Sequence, residues 1–344
     1  MQASSLSLTS EFAFVVGMTG ALTVGARADD VNDWQLVLDI ALEHRVLPRV
    51  WRNAAALIPQ PHAQRMHEHA LRITQTALQN IQRTIEVVQL FERHGITAIV
   101  LKGPLLAQRL YGDLGLRMCS DVDLLVRSED LLRASQLLSA NGYHHHTALN
   151  TRSLQLHRKV EHDVAFAHPD DGTLIELHAD IAQPHYSYRV DLNAWWLARE
   201  TAWVGGVRLP VLAVEHAYLL LVMHAARHQW SRLDLIADIA AFQKLALDRA
   251  LVTRVASTSG ISRLVELSES LAALFYGEAP ASMHPIITKL ANSLIEGRKF
   301  GRWDGAWLDV LAREGTADQL RYIIGRFVRR PFFIAVNAPF ARHY

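Results

Sequence analysis

The chain has 344 residues, half of them hydrophobic and a fifth charged, with a single cysteine. At about 150 residues per domain this is length for about two domains, and the balance of apolar and charged residues excludes disordered, collagen-like and coiled-coil classes. One cysteine, Cys119, closes no internal disulfide and builds no Cys-based zinc site, and 35 Lys and Arg against 34 Asp and Glu leave no footprint of a bulk nucleic-acid binder. The 18 histidines are the one unusual count.

In chain order, the first feature is an apolar stretch from Phe12 to Val24, followed by Ala26-Arg27-Ala28, which imitates a signal peptide. The residues before Phe12 carry Glu11 and no Lys or Arg, and Gly17 and Gly20 interrupt the run, so a buried or amphipathic first helix is expected. No other segment reaches the roughly 18 apolar residues of a membrane span, and the expected location is cytoplasmic. Trp34, Val37, Leu38, Ala41 and Leu42 keep helical spacing before Pro48. A long helix is predicted over 62–93, with Leu71, Leu78, Ile81, Ile85, Val88 and Phe91 on one side and His94-Gly95 ending it.

The texture then changes. Ile96 to Leu101 is β-branched and reads as a strand, Lys102-Gly103-Pro104 turns it into a helix over 105–111, and Asp121 to Val126 is a second strand. Ser128 is expected to cap a helix ending at Asn141-Gly142, and His144-His145-His146 reads as a surface run. Hairpins are predicted between 160–167 and 173–178 across Pro169-Asp170-Asp171-Gly172, and across Gly205-Gly206. Helices are predicted over 215–228, 233–247, 261–275, 283–296, 303–313 and 316–328. The expected fold class is α+β. A small mixed β-sheet core over 94–212 is flanked by an N-terminal helical region over 1–93 and a C-terminal helical domain over 213–344.

The chemistry concentrates in Leu101 to Val126. Asp121 and Asp123 lie two apart in a strand, so both carboxylates leave the same face, with Cα atoms about 6.6 Å apart. Two such acids repel each other and are costly to bury without a cation, and their oxygen donors point to Mg²⁺ or Mn²⁺. Glu176 interrupts another hydrophobic strand, and if the two strands are neighbours the three acids form a two-metal cradle. Gly103 stands between a strand and a helix N-terminus, where free N–H groups suit phosphate; Lys102 adds a point charge, and Arg117 lies on the loop entering the acidic strand.

The order Gly103, Asp121-x-Asp123, Glu176 resembles the polymerase-beta-type nucleotidyltransferase superfamily. More specifically, LKG…LYGD…R…SDVDLLV, then IELHADI and later HAARHQW-x-RLDLIADIA, resembles a poorly characterised bacterial nucleotidyltransferase family over about residues 35 to 280. Within the first motif, Lys102, Gly103, Tyr111, Arg117, Asp121 and Asp123 match. In this sequence Pro104 follows Gly103 and removes one N–H, and the gap from Gly103 to Asp121 is longer than the superfamily's usual spacing.

The resemblance implies Mg²⁺-dependent transfer of a nucleoside monophosphate from a nucleoside triphosphate, such as ATP, to a hydroxyl, with release of pyrophosphate. It further suggests a small-molecule or peptide natural-product acceptor. Asp121 and Asp123 would hold both ions, and Glu176 would complete the set or also take the acceptor's proton. Two other readings stay open: a non-catalytic nucleotide- or partner-binding module with the same fold, and a toxin-like enzyme acting on tRNA or protein, of which the near-neutral charge argues against tRNA and only the Arg-rich tail for it.

Histidines supply the remaining candidates. His178 shares the strand face of Glu176, either orienting that acid, contacting phosphate or serving structure alone. His224 and His228 lie four apart on one helix face without the Glu that a zinc-protease motif needs; they, with Arg227 and Trp230 of the second motif, are acceptor-site candidates or structural groups. Asp234 and Asp238 either pair with Arg232 or His228 or belong to a helix-surface network. Cys119 has no base partner in sequence and reads as non-catalytic. The tail from Arg326 to Tyr344 interleaves arginine and phenylalanine, either packing with its arginines reaching solvent or binding an anionic partner.

Overall fold

The computed structural model describes residues 8–20, 27–145, 161–277, 285–298 and 300–329. His146, Val160 and most of the Arg/Phe-rich tail lie outside them; within the tail, Arg326 contacts the His185 ring.

The apolar stretch near the start folds as α1 (Ser10–Thr19), where Thr9 caps the helix by accepting the Phe12 N–H at 3.2 Å. Phe12, Phe14, Val15 and Val16 are buried against α2 (Trp34–Glu43), α3 (Leu47–Ala54) and the helix Ser262–Tyr276. Phe14 meets Trp34 edge to face at 5.2 Å. This is the buried first helix that the residue pattern predicts. Among the described residues no helix is long and apolar enough to cross a membrane.

The long helix α4 (His62–Arg93) ends as predicted at His94-Gly95, with Gly95 in the left-handed region. Its buried stripe keeps Ile81, Val88 and Phe91 of the predicted residues, with Ile85 partly buried beside them, but not the two leucines. Leu71 and Leu78 are 48% and 52% exposed, and the core-facing residues are Ala70, Ala77, Ile81, Thr84, Val88 and Phe91. The glycine of the turn Leu114–Leu116 lets α4 approach it closely; a Cβ added to Gly115 would lie 2.9 Å from Thr74 Oγ1.

Among the described residues seven strands form one mixed sheet in the order β3-β4-β5-β2-β1-β7-β6. They are β1 (Ala98–Val100), β2 (Asp121–Val126), β3 (His144–His145), β4 (Asp163–Ala167), β5 (Leu174–His178), β6 (Glu200–Val204) and β7 (Val207–Val211). Both predicted hairpins are present, β4–β5 and β6–β7. Alternation along the central strands separates two layers. Val122, Leu124 and Val126 of β2, with Ile175 and Leu177 of β5, pack under α4 and α6 (Leu131–Ala140). Leu125 and Ile99 turn to the opposite face, which the C-terminal helices cover. The acids of β2 and β5 share this second face.

Between them, β1 and β2 are linked by α5 (Pro104–Tyr111), with proline at its first position as expected. Ser128 does not cap α6. The helix starts at Leu131 with Asp130 at its N-cap position and no side-chain cap bond, and the Ser128 hydroxyl is turned toward the Ala179 carbonyl at 3.5 Å.

The C-terminal helices are Val214–Arg227, Leu233–Phe242, Arg249–Ser259, Ser262–Tyr276, Pro285–Ile295, Arg302–Leu311 and Thr316–Ile324. The predicted helix over 233–247 stops at Phe242. A separate helix, which the pattern reading missed, starts beyond it, where the Asp248 side chain accepts the Leu251 N–H at 2.9 Å.

If α1 is part of the core, Phe14→Ala leaves a cavity beside Trp34 and lowers unfolding free energy by about 3–5 kcal/mol. Chemical denaturation measures this, and a loss below about 1 kcal/mol would show that α1 is dispensable to the fold.

Candidate active site

β2 and β5 run parallel and place Asp123 directly beside Glu176, with Leu125 beside His178. The two-residue period of each strand then gathers Asp121, Asp123, Glu176 and His178 on one face. This is the adjacency that the cradle requires.

Asp123 is 2% exposed, and two cationic groups reach its Oδ1: Lys102 Nζ at 3.0 Å and His178 Nε2 at 3.1 Å. An ionised carboxylate only accepts, so His178 Nε2 carries the hydrogen and donates it. Burial alone would raise the Asp123 pKa, but Lys102 and His178 outweigh it and hold the group well below the usual carboxylate range. For His178, burial pulls the pKa down, and the hydrogen bonds to Asp123 and Glu176 overcome this and lift it to about 9. Glu176 Oε2 lies 3.6 Å from His178 Nε2, and its side chain is 28% exposed.

Asp121 is half-buried, and burial followed by repulsion from Asp123 raises its pKa. Among the described residues no hydrogen bond or ion pair reaches its carboxylate.

Asp123, Glu176 and His178 each offer a ligand atom within 4.8 Å of the other two, and His162, Asp163 and His178 form a second such group. Both could coordinate a divalent ion. The hard oxygens of Asp123 and Glu176 suit Mg²⁺ or Mn²⁺, and Asp121 lies on the same face just outside the tight group.

The turn beside this face is built for backbone approach. The Leu101 N–H donates to the Asp123 carbonyl at 3.1 Å, which ties the end of β1 to the acidic strand. Gly103 then adopts φ +80°, ψ −151°, a region essentially restricted to glycine, and a Cβ placed there would meet nothing within 4 Å. The space above the turn is open, at the N-terminus of α5.

Arg117 is 7% exposed, and its Nε donates to Asp238 Oδ2 at 2.7 Å. Asp238, on the 233–242 helix, also accepts from the Tyr111 hydroxyl, which in turn accepts from Arg49. The two acids of this helix are 1–2% exposed, so the helix-surface reading of Asp234 and Asp238 is corrected: Asp238 closes a buried network, and Asp234 pairs with Arg232 at 2.9 Å. Arg45 and Asn80 donate to the Met118 and Cys119 carbonyls, clamping the loop that leads into Asp121. Sequence reasoning missed Arg45, Arg49 and Asn80, because nothing in their local spacing marks them. Cys119 is buried, and burial pushes its thiol pKa up.

Of the acceptor-site candidates, His178, His224 and Arg227 line one small cavity together with Lys102, Tyr186 and Tyr188. His224 and His228 stack edge to face at 4.7 Å. Burial and then neighbouring cations keep both neutral, with His228 pushed down to about 3. His228 and Trp230 do not line that cavity. Trp230 is buried in the helical core, with its Nε1 donating to Ser268 at 2.8 Å.

A mixed sheet with paired acids on neighbouring central strands, beside a glycine turn opening a helix, defines a nucleotidyltransferase-type enzyme. The chain belongs to the uncharacterised nucleotidyltransferase family, whose model matches residues 30–277. Among solved structures, an antigenic nucleotidyltransferase-like protein from Paracoccidioides brasiliensis is similar at 16% identity and a TM-score of 0.37, over 65% of this chain and 94% of that one. No curated protein matches the chain.

Removing Asp238 leaves Arg117 and Arg49 as buried cations without their acid. Asp238→Ala is expected to cost about 3–5 kcal/mol, and adding Arg117→Leu to recover part of that loss. A double-mutant cycle in denaturant checks this, and simple additivity would show that the two residues do not act as a pair.

Proposed function

We propose that the chain transfers a nucleoside monophosphate from a nucleoside triphosphate to a hydroxyl on a small-molecule or peptide acceptor, releasing pyrophosphate. The observation that carries this reading is the parallel register of Asp123 with Glu176, which gathers three carboxylates on one sheet face beside the Gly103 turn. Asp121, Asp123 and Glu176 would hold Mg²⁺ or Mn²⁺, and the ion would supply neutralisation of phosphate charge at this face.

The chain's own groups do the positioning. The open backbone at Gly103 and the start of α5 receive phosphate oxygens, with Lys102 as the adjacent positive charge. Arg117 acts indirectly: locked to Asp238, it fixes the loop that delivers Asp121. Glu176, whose side chain is 28% exposed, receives the acceptor's hydroxyl proton. His178, His224 and Arg227 line the small cavity next to Lys102, which has room for about one water-sized group and so receives at most a single polar group of the acceptor.

The test is pyrophosphate release with each nucleoside triphosphate, Mg²⁺ and cell extract as acceptor source. Asp121→Asn should lower the rate by roughly 10²–10³-fold while circular dichroism stays native, and Asp123→Asn, which strips Lys102 and His178 of their shared anion, should lower the rate at least as much and also the unfolding midpoint. Wild-type turnover in either variant would contradict the mechanism, and nucleotide binding by the wild-type chain without pyrophosphate release would identify a binding module instead.

A further inference from the structure

We infer that His162, Asp163 and His178 form a second divalent-metal site, selective for a Zn²⁺-class transition ion rather than Mg²⁺. The antiparallel pairing of β4 with β5 sets Asp163 directly opposite His178, so their side chains share a face. His162 precedes β4, and its carbonyl accepts the Ala179 N–H at 2.9 Å, which brings the two imidazole rings to 5.1 Å. One ligand atom from each of the three residues falls within 4.8 Å of the others.

Two unsatisfied atoms point to a ligand. His162 and His178 are 6% and 4% exposed, and the Nδ1 of each is buried without a hydrogen-bond partner. Buried polar atoms are normally paired, and two orphaned ring nitrogens in neighbouring residues are unusual. His162 Nδ1 lies 2.9 Å from Asp163 Oδ1 yet lacks the alignment of a hydrogen bond, an arrangement suited to two donors converging on one cation.

The donor chemistry sets the ion. Two imidazole nitrogens and one carboxylate match Zn²⁺, Co²⁺ or Mn²⁺, whereas Mg²⁺ takes oxygen ligands. His178 Nε2 is already committed to Asp123, so Nδ1 is the nitrogen left for the metal. Metal on Nδ1 with Nε2–H donating to a carboxylate is the linkage by which outer-shell acids fix a ligating histidine. Here that acid is Asp123, so the ion orients the centre of the acidic set through one imidazole. Arg227 Nη1 lies 3.3 Å from His162 Nε2 and gives up this contact when Nδ1 is metallated, because Nε2 then carries the proton.

The full chain, stripped with chelator, is titrated with Co²⁺ in the absence of nucleotide and followed by visible absorption. The expected result is a single ligand-field band that Zn²⁺ displaces and a large excess of Mg²⁺ does not. His162→Gln and Asp163→Asn should weaken Co²⁺ binding at least about tenfold, and Asp121→Asn should leave it intact. Asp163 is only partly buried, so its variant keeps the test informative if His162→Gln fails to fold. Absence of a band, displacement by Mg²⁺, or wild-type affinity in a folded Asp163→Asn would overturn the inference. Because no nucleotide is present, the outcome is independent of whether the chain releases pyrophosphate.

Discussion

A carboxylate buried in the middle of a sheet organises this molecule. Asp123 is almost fully excluded from solvent, and an ionised acid there is tolerable only with cationic partners in place. Those partners come from different parts of the chain: Lys102 from the turn after β1 and His178 from the end of β5. Satisfying Asp123 therefore fixes the turn, the parallel pairing of β2 with β5 and the position of Glu176 at once. The backbone joins in, because the Asp123 carbonyl takes the Leu101 N–H just before the glycine turn.

A second buried charge, Asp238, does similar work one layer away. Its pairing with Arg117 and its link through Tyr111 to Arg49 join the loop into β2, the end of α5, α3 and the 233–242 helix. The C-terminal helices thus do more than cover one face of the sheet. They hold the segment that presents Asp121, and they contribute His224 and Arg227 to the cavity beside Lys102. A site built from two adjacent strands is kept in shape by buried ion pairs from outside the sheet.

Much of the site was legible in the sequence because it depends on short-range geometry. The two-residue spacing of Asp121 and Asp123, an acid interrupting the strand at Glu176, and a glycine between strand and helix each carry their meaning locally. The family resemblance seen over about residues 35 to 280 agrees with the match over 30–277. What was not legible depends on distant partners. Nothing in the spacing of Arg117 and Asp238 announces a buried pair 121 residues apart, and Asp234 and Asp238 at i,i+4 read equally well as a surface pattern. Along α4 the sequence pattern marks Ile81, Val88 and Phe91 correctly, but leucines outrank alanines in any apolar count, and the helix buries Ala70 and Ala77 while Leu71 and Leu78 face solvent. The 18 histidines are informative only in place: His178 and His162 become significant through what their ring nitrogens touch or fail to touch.

The central claim is that the acids of β2 and β5 direct attack to the α-phosphorus of a nucleoside triphosphate. Parallel incubations with α-labelled and γ-labelled nucleoside triphosphate, Mg²⁺ and cell extract test it most directly. The account predicts that label from the α-position becomes covalently attached to an acceptor and label from the γ-position leaves as pyrophosphate. Transfer of the γ-label to the acceptor, or no transfer of either label by a nucleotide-bound, folded chain, would contradict it.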